Sequence, residues 1–413
     1  MNDLFWPGDE RAGEILSEAT FLDAMVRVES AWLETLISTG IAPAAAATSL
    51  VEFVVDDDVH RLAQAAESGG NPVIPLVCLL HERLTADHPE AATWVHRGLT
   101  SQDVVDTALS LCLNEAAERV REELTVQIRG LVALADEHRQ SIMAGRTLTQ
   151  HAVPTTFGLK AAGWLEGILD AAADLNTLEF PIQIGGAAGT LAAPTELLAQ
   201  SGSAAKMSDL TSNMAAVLGL QERPPWHTTR TPFTRFGDAM VRCTDTWGHV
   251  ANDVLTLSRP EIGELSEADR HGRGGSSTMP HKTNPVLSTL IKRAALVAPL
   301  TGAQLHVAAA GSVDERPDGA WHSEWSALHT LARHTVVAAS QASELIGGLR
   351  VDTGRMRATA IAASDDLLAE RRSLTALIPG AVVDDNPCTY LGATDQIIDA
   401  AIERAHAILK EDS

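Results

Sequence analysis

Residues 100–135 read TSQDVVDTALSLCLNEAAERVREELTVQIRGLVALA, and this stretch decides the fold. Its apolar residues recur every three or four positions, which predicts an α-helix with one buried face. They are Val105, Leu109, Cys112, Ala116, Val120, Leu124, Ile128, Leu131 and Ala135. At 1.5 Å per residue the helix is about 45–50 Å long. Because no strict heptad is kept, a multi-helix bundle is a better interpretation than a coiled coil.

The composition agrees with a helical protein. Of 413 residues, 45% are hydrophobic and only 4% aromatic, so the core is mainly alanine, leucine and valine, which favours helices over sheets. That hydrophobic content also excludes global disorder. Further helices are predicted over residues 18–39, 155–177, 232–258 and 285–310. No run alternates apolar and polar residues between turn signals, so a large sheet is not expected.

The charge excludes two classes of partner. Lysine and arginine number 31 against 54 aspartates and glutamates, a net charge of −23. Nucleic acids and anionic membrane surfaces call for basic patches, so neither is expected as the main partner. The uncharged run from Ala294 to Val313 is interrupted by Pro299 and Gly302, which predicts a buried core helix rather than a membrane span.

The cysteines indicate a reducing compartment. Cys78, Cys112, Cys243 and Cys388 lie far apart and form no Cys-x-x-Cys motif. With no recognisable signal peptide, they are expected to be free thiols in a cytoplasmic protein.

Glycine- and proline-rich loops predict three regions. Residues 1–98 are expected to form an N-terminal helical domain and residues 99–345 a central helical bundle that carries the loop 272–285. Residues 346–413 are expected to form a C-terminal helical domain, with its edge near the glycines at 347 and 348.

The strongest local signal is GGSSTMPHKTNP, residues 274–285. Glycines give this loop freedom of motion, and Pro280 and Pro285 stiffen its exit into the following helix. Two serines, Lys282 and Asn284 are thereby concentrated near a helix N-terminus, where they can hold an anion and stabilise a developing negative charge. The residues alone also allow a solvent-exposed polar loop. A phosphate-binding P-loop is excluded because its Gly-x-x-x-x-Gly-Lys-Ser/Thr pattern is absent.

Two further blocks carry polar residues. GLTSQDVVDTA, residues 98–108, puts Thr100 and Ser101 at the start of the long helix, with Asp103 following as in a capping box. These groups can cradle a substrate carboxylate or simply cap the helix. The other block is GRTLTQHAVP, residues 145–154.

Together the three blocks resemble the signature regions of the fumarase/aspartase superfamily, whose loop reads roughly Gly-Ser-Ser-x-Met-Pro-x-Lys-x-Asn-Pro. The resemblance implies an all-α fold, with a central bundle of long helices flanked by two smaller helical domains. It also implies that Ser276 is the general base and that Lys282 and Asn284 bind a carboxylate and stabilise a carbanion-like intermediate. The catalytic residues it implies are Ser276, Lys282 and His151. The substrate-binding residues it implies are Thr100, Ser101, Arg146, Gln150, Ser277, Met279, Asn284 and Arg316.

One departure concerns the general acid. Fumarases, argininosuccinate lyases and adenylosuccinate lyases usually carry a histidine directly after the threonine of the second region, where this chain has Leu148. Leucine cannot donate a proton. His151 lies three residues on and, if the segment is helical, points in roughly the same direction. It either compensates as the acid or has a capping or packing role.

Other segments resemble the bacterial 3-carboxy-cis,cis-muconate cycloisomerases. They are GNPVIPLV (70–77), HAVPTTFGLKAAGWL (151–165), QIGGAAGTLA (183–192), PPWHTTR (224–230), DERPDGAWHSEW (314–325) and NPCTYLGA (386–393). This branch implies conversion of 3-carboxy-cis,cis-muconate to 4-carboxymuconolactone in protocatechuate degradation. Thr283 departs from it, since these enzymes often have arginine there. The alternative is a lyase that eliminates a group from a substituted succinate of the adenylosuccinate, aspartate or nitrosuccinate type to give fumarate.

The resemblance implies no organic cofactor and no metal. The histidines form no His-Glu-x-x-His motif, and Ser277 stands where a dinucleotide-binding fingerprint needs glycine. The implied partners are a small polycarboxylate substrate and other copies of the chain, in a homotetramer whose active sites are shared between subunits. Because the net charge would repel such a substrate, four arginines are candidates to neutralise it: Arg146, Arg230, Arg273 and Arg316.

Overall fold

The computed structural model describes residues 3–270, 272–275, 278–279 and 281–411. These residues are mainly helical, which confirms the predicted fold class. The α-helices are α1 (Glu18–Ser38), α2 (Asp58–Gly69), α3 (Val73–Leu84), α4 (Pro89–Trp94), α5 (Ser101–Glu137), α6 (Phe157–Asn176), α7 (Ala192–Ser201), α8 (Met207–Leu218), α9 (Thr231–Leu257), α10 (Val286–Ala310), α11 (Gly319–Gly347), α12 (Thr353–Ala362), α13 (Ser364–Leu367), α14 (Ala369–Thr375) and α15 (Thr394–Glu411). Short 3-10 helices cover Asp9–Ala12, Ala44–Ala46, Leu50–Phe53 and Pro387–Thr389.

The long helix predicted from its apolar stripe is α5, and all nine stripe positions are buried. The other predicted helices correspond to α1, α6, α9 and α10, with ends within two residues of those expected. The difference at the start of α6 has a structural reason. Thr155 and Thr156 pair with Met143 and Ile142 in a strand, so the helix begins only at Phe157.

The strands are few and short. β1 (Ile142–Thr147) and β2 (Gln150–Thr156) form an antiparallel hairpin, here called the hairpin. β3 (Leu265–Ser266) and β4 (Arg350–Val351) form a second antiparallel pair. No larger sheet occurs in the part of the chain that the structure describes, as the sequence predicts.

The chain divides into two compact units. The first unit comprises Met1–Arg119, Thr177–Asp238 and Leu300–Val336, and in it α1 packs against α8 and α2 against α3. The second unit comprises Val120–Asn176, Ala239–Pro299 and Val337–Ser413, and in it α15 packs against α6 and α12 against β1. The division into residues 1–98, 99–345 and 346–413 stays a prediction.

Helix α10 differs from the sequence expectation. It is long and apolar enough to span a membrane by length and composition alone, yet only 33% of its most apolar 18-residue window is buried. Leu296, Leu300 and Val307 are each more than half exposed, and their spacing places them on one helix face. The expectation of a buried core helix is therefore wrong for this face, which is called the α10 stripe below.

The four cysteines are free. Burial raises the pKa of the Cys112 and Cys243 thiols to about 12, so both stay protonated at neutral pH and behave as small apolar side chains.

Candidate active site

The first predicted site segment is the start of α5. The Thr100 backbone N–H donates to the Asp103 carboxylate at 2.9 Å, as expected for this half of a capping box. Thr100 and Ser101 are partly buried, whereas Asp103 is wholly buried. Capping the helix and binding a carboxylate are therefore compatible roles. The cap places the hydroxyls of Thr100 and Ser101 at the partly exposed start of the helix.

Asp103 also holds a glycine-rich loop against this helix end. Its carboxylate accepts the backbone N–H groups of Gly185 at 2.9 Å and Gly186 at 3.0 Å. The His227 Nε2 atom lies 2.9 Å from the same carboxylate, which fixes the ring proton on that nitrogen. A Cβ atom on Gly185 would lie 2.4 Å from His227 Cε1, so only glycine fits there.

One helical turn further on, Asp106 forms a buried ion triad. The Arg230 guanidinium donates to Asp106 at 2.7 and 3.0 Å and to Glu324 at 2.7 Å, and both its partners are buried. Burial raises the pKa of Glu324, although Arg230 opposes this shift. Arg230 is therefore not available to a substrate, and its candidacy as a substrate-neutralising residue is wrong.

Arg316 is placed differently. It is partly buried, and its Nη1 donates to the Thr100 hydroxyl at 2.9 Å. Among the residues that the structure describes it has no ion-pair partner, so its positive charge is available to an anion. The structure thus brings together Thr100 and Arg316, two of the predicted substrate-binding residues. We call Thr100, Asp103, Asp106, His227, Arg230, Arg316 and their hydrogen bonds the Thr100 cluster, which lies in the first unit.

His96 was not predicted as a site residue. Its Nδ1 lies 2.7 Å from the buried Glu29 carboxylate, and its backbone has a left-handed φ of +62°. Burial works to lower the pKa of His96, but the hydrogen bond and charge of Glu29 raise it overall. The only signal in the sequence is its position four residues before Thr100.

The second signature region is the hairpin, in the second unit. Its turn consists of Leu148 and Thr149, whose φ values of +49° and +73° are those of a type I′ turn. The expectation that His151 follows Leu148 along a helix is therefore wrong, because His151 pairs with Arg146 across two strands. Leu148 is 96% exposed at the tip of the hairpin.

Arg146, a predicted substrate-binding residue, forms an ion pair with a carboxylate of its own chain. It forms two hydrogen bonds, of 2.8 and 3.0 Å, with the wholly buried carboxylate of Glu264. This bidentate pair ties the hairpin to the segment that leads into the loop 272–285. In the described chain, Arg146 is thus a support for the hairpin.

The other two predicted residues of the hairpin are exposed. Gln150 contacts the Thr149 hydroxyl at 3.2 Å, and His151 Nδ1 lies 4.0 Å from the exposed Asp366. Arg146 and His151 line a cleft of about 790 Å³, together with Lys160. In its wall, Lys160 donates to Asp253 at 3.1 Å.

The third region, the signature loop (residues 272–285), is described only in part. The predicted base Ser276 and its neighbour Ser277 lie outside the described residues. Asn284 closes the base of the loop, because its backbone N–H and its side-chain amide both donate to the Gly274 carbonyl, at 2.8 and 2.9 Å. Gly274 has a φ of +76°, and a Cβ there would lie 2.7 Å from the Asn284 carbonyl oxygen.

The remaining predicted loop residues are open to solvent. Lys282 and Met279 are exposed, and the Lys282 N–H donates to the Met279 carbonyl at 3.0 Å. Lys282 and Asn284 border a cleft of about 410 Å³ with Arg273, whose guanidinium lies 2.8 Å from Glu344. This cleft shares no lining residue with the one beside the hairpin.

The helix N-terminus after the signature loop already holds a carboxylate. Glu267 accepts the N–H groups of Leu287 at 3.1 Å and Ser288 at 2.8 Å, and also the Ser288 hydroxyl at 2.8 Å. The chain's own glutamate therefore occupies these N–H groups of α10. That the loop's serines, Lys282 and Asn284 hold an anion stays a prediction.

Among the described residues, no group of three or more His, Cys, Asp and Glu side chains is arranged to hold a metal ion. Most of the predicted site residues that the structure describes carry hydroxyls, amides or positive charges, which suit the binding of carboxylates and the stabilisation of negative charge.

Comparison with known proteins gives the family. Residues 34–299 match the model of a family described as lyase. A nitrosuccinate lyase from Streptomyces davaonensis is 42% identical over 86% of this chain and 76% of its own length. A 3-carboxy-cis,cis-muconate cycloisomerase from Bradyrhizobium diazoefficiens is 37% identical over 84% and 76%.

Solved structures agree with this assignment. The 3-carboxy-cis,cis-muconate lactonizing enzyme from Pseudomonas putida is similar with a TM-score of 0.84 and 29% identity, over 98% of this chain and all of the other. A fumarate lyase from Mesorhizobium has a TM-score of 0.81 and 25% identity, over 95% and 97%. The resemblance recognised in the signature loop is thus confirmed, and the chain is an enzyme that belongs to the fumarate lyase superfamily.

Proposed function

We propose that this enzyme is a cycloisomerase that converts 3-carboxy-cis,cis-muconate to 4-carboxymuconolactone. One carboxylate oxygen of the substrate adds to a carbon–carbon double bond of the same molecule, and a proton is delivered to the carbon next to another carboxylate. The reaction is an isomerisation, so every atom is retained. In the reverse direction, a carboxylate leaves as the neighbouring carbon loses its proton.

The observation that carries the proposal is Leu148 at the tip of the hairpin. A superfamily member that expels an amine needs a proton donor for the departing nitrogen, whereas a carboxylate leaves as a stable anion and needs none. Leu148 supplies no proton, and the proposal does not assign its role to His151, which lies across the hairpin from Arg146 with its Nδ1 4.0 Å from Asp366. A reaction whose leaving group is a stable oxyanion can proceed without a proton donor at this position.

The anion-binding groups support a polycarboxylate substrate. Arg316 and the hydroxyls of Thr100 and Ser101 are proposed to bind one substrate carboxylate, and Lys282 to stabilise the intermediate's negative charge. Ser276 is proposed to transfer the proton, with Ser277, Met279, Gln150 and Asn284 as neighbouring contacts. Neither a metal nor an organic cofactor is part of the proposal.

The assay that tests the function follows the loss of muconate absorbance with 3-carboxy-cis,cis-muconate as substrate. We expect turnover by the wild type and a rate lowered by ~10²–10⁴ in Ser276→Ala, the typical effect of losing a proton-transfer group. Ser277→Ala is the matched comparison and is expected to keep far more activity than Ser276→Ala, because it loses a substrate contact and not the proton-transfer group. An inactive Ser277→Ala beside an active Ser276→Ala would show that the base is assigned to the wrong serine.

A second candidate is elimination of nitrite from nitrosuccinate to give fumarate. It is favoured by the 42% identity to the Streptomyces davaonensis enzyme and by Thr283, which stands where the cycloisomerases often have arginine. Nitrite is also a stable leaving anion, so Leu148 is compatible with this reaction too. Measured nitrite release from nitrosuccinate, together with no lactone from the muconate, would replace the first proposal with this one.

Nitrogen lyase activity is the control for both candidates. We expect no efficient release of fumarate from adenylosuccinate or argininosuccinate. Robust release that disappears in His151→Ala would make His151 a general acid and would overturn the argument from Leu148.

A homotetramer in the cytoplasm is part of the same proposal. The α10 stripe exposes Leu296, Leu300 and Val307 along one helix, and an uncovered apolar face of this kind is typical of a subunit interface. Sedimentation at micromolar concentration tests this. A fully active monomer would contradict the homotetramer. A tetramer that persists unchanged when Leu300 and Val307 are both replaced by aspartate would show that the α10 stripe is not its interface.

A further inference from the structure

Trp321 lies between the buried ion triad and Arg316. Its indole Nε1 donates to Asp106 at 2.9 Å, and Asp106 is in turn held by Arg230. The ring is 4% exposed, so its orientation is fixed both by this hydrogen bond and by packing.

Arg316 lies over this ring. Its guanidinium carbon is 6.0 Å from the centre of the Trp321 ring system, and its Nη1 donates to the Thr100 hydroxyl. Arg316 has no carboxylate partner within the described part of the chain. The indole face and one hydroxyl are the groups that orient it, and neither neutralises its charge.

We propose that Trp321 is a positioning residue for Arg316, and that it sets the affinity of the site for a substrate carboxylate. The proposal rests on the assignment of Arg316 to substrate binding. The buried Asp106 aligns the indole, the indole face holds the guanidinium by a cation–π interaction, and the guanidinium keeps its full charge for the ligand. A carboxylate partner would align the arginine equally well but would compete with the substrate.

The neighbouring Trp325 supplies a matched control. It packs edge-to-face on Trp321 with ring centres 4.7 Å apart, and its buried Nε1 has no hydrogen-bond partner among the described residues. Trp325→Phe thus removes an indole N–H from the same aromatic cluster without removing a hydrogen bond. Trp321→Phe removes the hydrogen bond to Asp106 and reduces the aromatic face under Arg316.

The experiment measures binding of tricarballylate, a tricarboxylate that cannot react, to the full-length protein by calorimetry. We expect Trp321→Phe to weaken binding by ~3- to 30-fold, the range that a cation–π contact supplies. Trp325→Phe binds as the wild type does. In the substrate assay, Trp321→Phe raises KM by a similar factor and changes kcat little.

A double-mutant cycle separates positioning from a general structural effect. In an Arg316→Gln background, Trp321→Phe is expected to weaken tricarballylate binding no further, because the residue through which it acts is absent. Independent, multiplying effects of the two substitutions would overturn the proposal, and so would unchanged binding by Trp321→Phe. If that variant does not fold, Trp321→Tyr is measured in the same cycle with the same criteria.

The outcome is distinguishable from a failure of the proposed function. Coupled loss of tricarballylate binding without turnover of either the muconate or nitrosuccinate would support the positioning role and reject the assigned reaction. Muconate turnover with no coupling between Trp321 and Arg316 would support the reaction and reject the positioning role.

Discussion

The Thr100 cluster and the hairpin carry two of the three signature regions, yet they are built in opposite ways. In the Thr100 cluster, the polar groups of Asp103, Asp106 and Arg230 are wholly or almost wholly buried and are hydrogen-bonded. In the hairpin, Leu148, Gln150 and His151 are exposed. The comparison indicates that the first region is organised by its own buried hydrogen bonds, whereas the second exposes its side chains.

The difference has an electrostatic cause. A carboxylate that is buried without partners is very unfavourable, so Asp103 and Asp106 each collect several donors and thereby fix the surrounding backbone. The exposed side chains of the hairpin lose little by pointing into water and are therefore not fixed by such bonds. What fixes the hairpin is the ion pair between Arg146 and the buried Glu264.

The largest expected effect comes from removing a carboxylate of the Thr100 cluster. Asp106→Ala leaves Arg230 with one buried partner and the Trp321 N–H without its acceptor. We expect a loss of about 3–5 kcal/mol in the free energy of unfolding, measured by urea denaturation. Asp366→Ala, beside the exposed His151, is expected to change stability by less than about 0.5 kcal/mol. Equal losses in the two variants would abolish the contrast between the regions.

The next effect concerns the base of the signature loop. Gly274→Ala puts a side chain on a residue with a φ of +76°, 2.7 Å from the Asn284 carbonyl oxygen. We expect about 1–3 kcal/mol of local strain and a lower kcat, because the loop carries Ser276. Gly275→Ala is the control, since no atom lies within 4 Å of the added Cβ. A healthy Gly274→Ala enzyme would show that the closed base of the loop is not needed for turnover.

A smaller effect is expected at the tip of the hairpin. Leu148 occupies left-handed backbone and is 96% exposed, so Leu148→Asn relieves strain and removes an apolar surface. We expect the melting temperature to stay the same or rise, with a gain of up to about 1 kcal/mol, whereas the β-branched Leu148→Val lowers it. A destabilised Leu148→Asn would indicate that another subunit covers this leucine.

The smallest effect is a pH dependence. The pKa of His96 is raised above its ordinary value of 6.5, so its ion pair with Glu29 stabilises the fold fully below pH 6.5. This stabilisation is lost as the pH rises through the raised pKa. In Glu29→Gln the stabilisation is absent, so the difference in melting temperature between wild type and variant should shrink from pH 6 towards pH 9. A difference that grows with pH would contradict the assigned direction.

The helices could be predicted because burial repeats regularly along them. The stripe from Val105 to Ala135 is visible as spacing alone, and every member of it is buried. The hairpin was not predicted, because its turn is Leu148-Thr149 rather than the Asn-Gly or Asp-Gly pairs that mark a type I′ turn. Left-handed backbone at a leucine is decided by the surrounding strands and leaves no signal in composition.

The sequence motifs locate the candidate site, but they do not show which of its residues pair with one another and which are available to a substrate. Asp103 and Asp106 are three residues apart, as are their partners His227 and Arg230, yet those partners lie more than 120 residues away in the sequence. Equal spacing was the one available signal of this pairing. Arg230 is buried in ion pairs, whereas Arg316 has no ion-pair partner among the described residues. This difference depends on which carboxylates lie nearby, and sequence does not reveal it.

Helix α10 connects the signature loop to the α10 stripe. The helix begins directly after the signature loop, and the Glu267 carboxylate accepts hydrogen bonds from its first turn. Its exposed face is the α10 stripe. A helix of 25 residues is a rod about 37 Å long, so a neighbour packed along the stripe restrains the same element that anchors the loop. If the proposed homotetramer buries the α10 stripe, specific activity should fall on dilution as its subunits separate, before any helix unfolds.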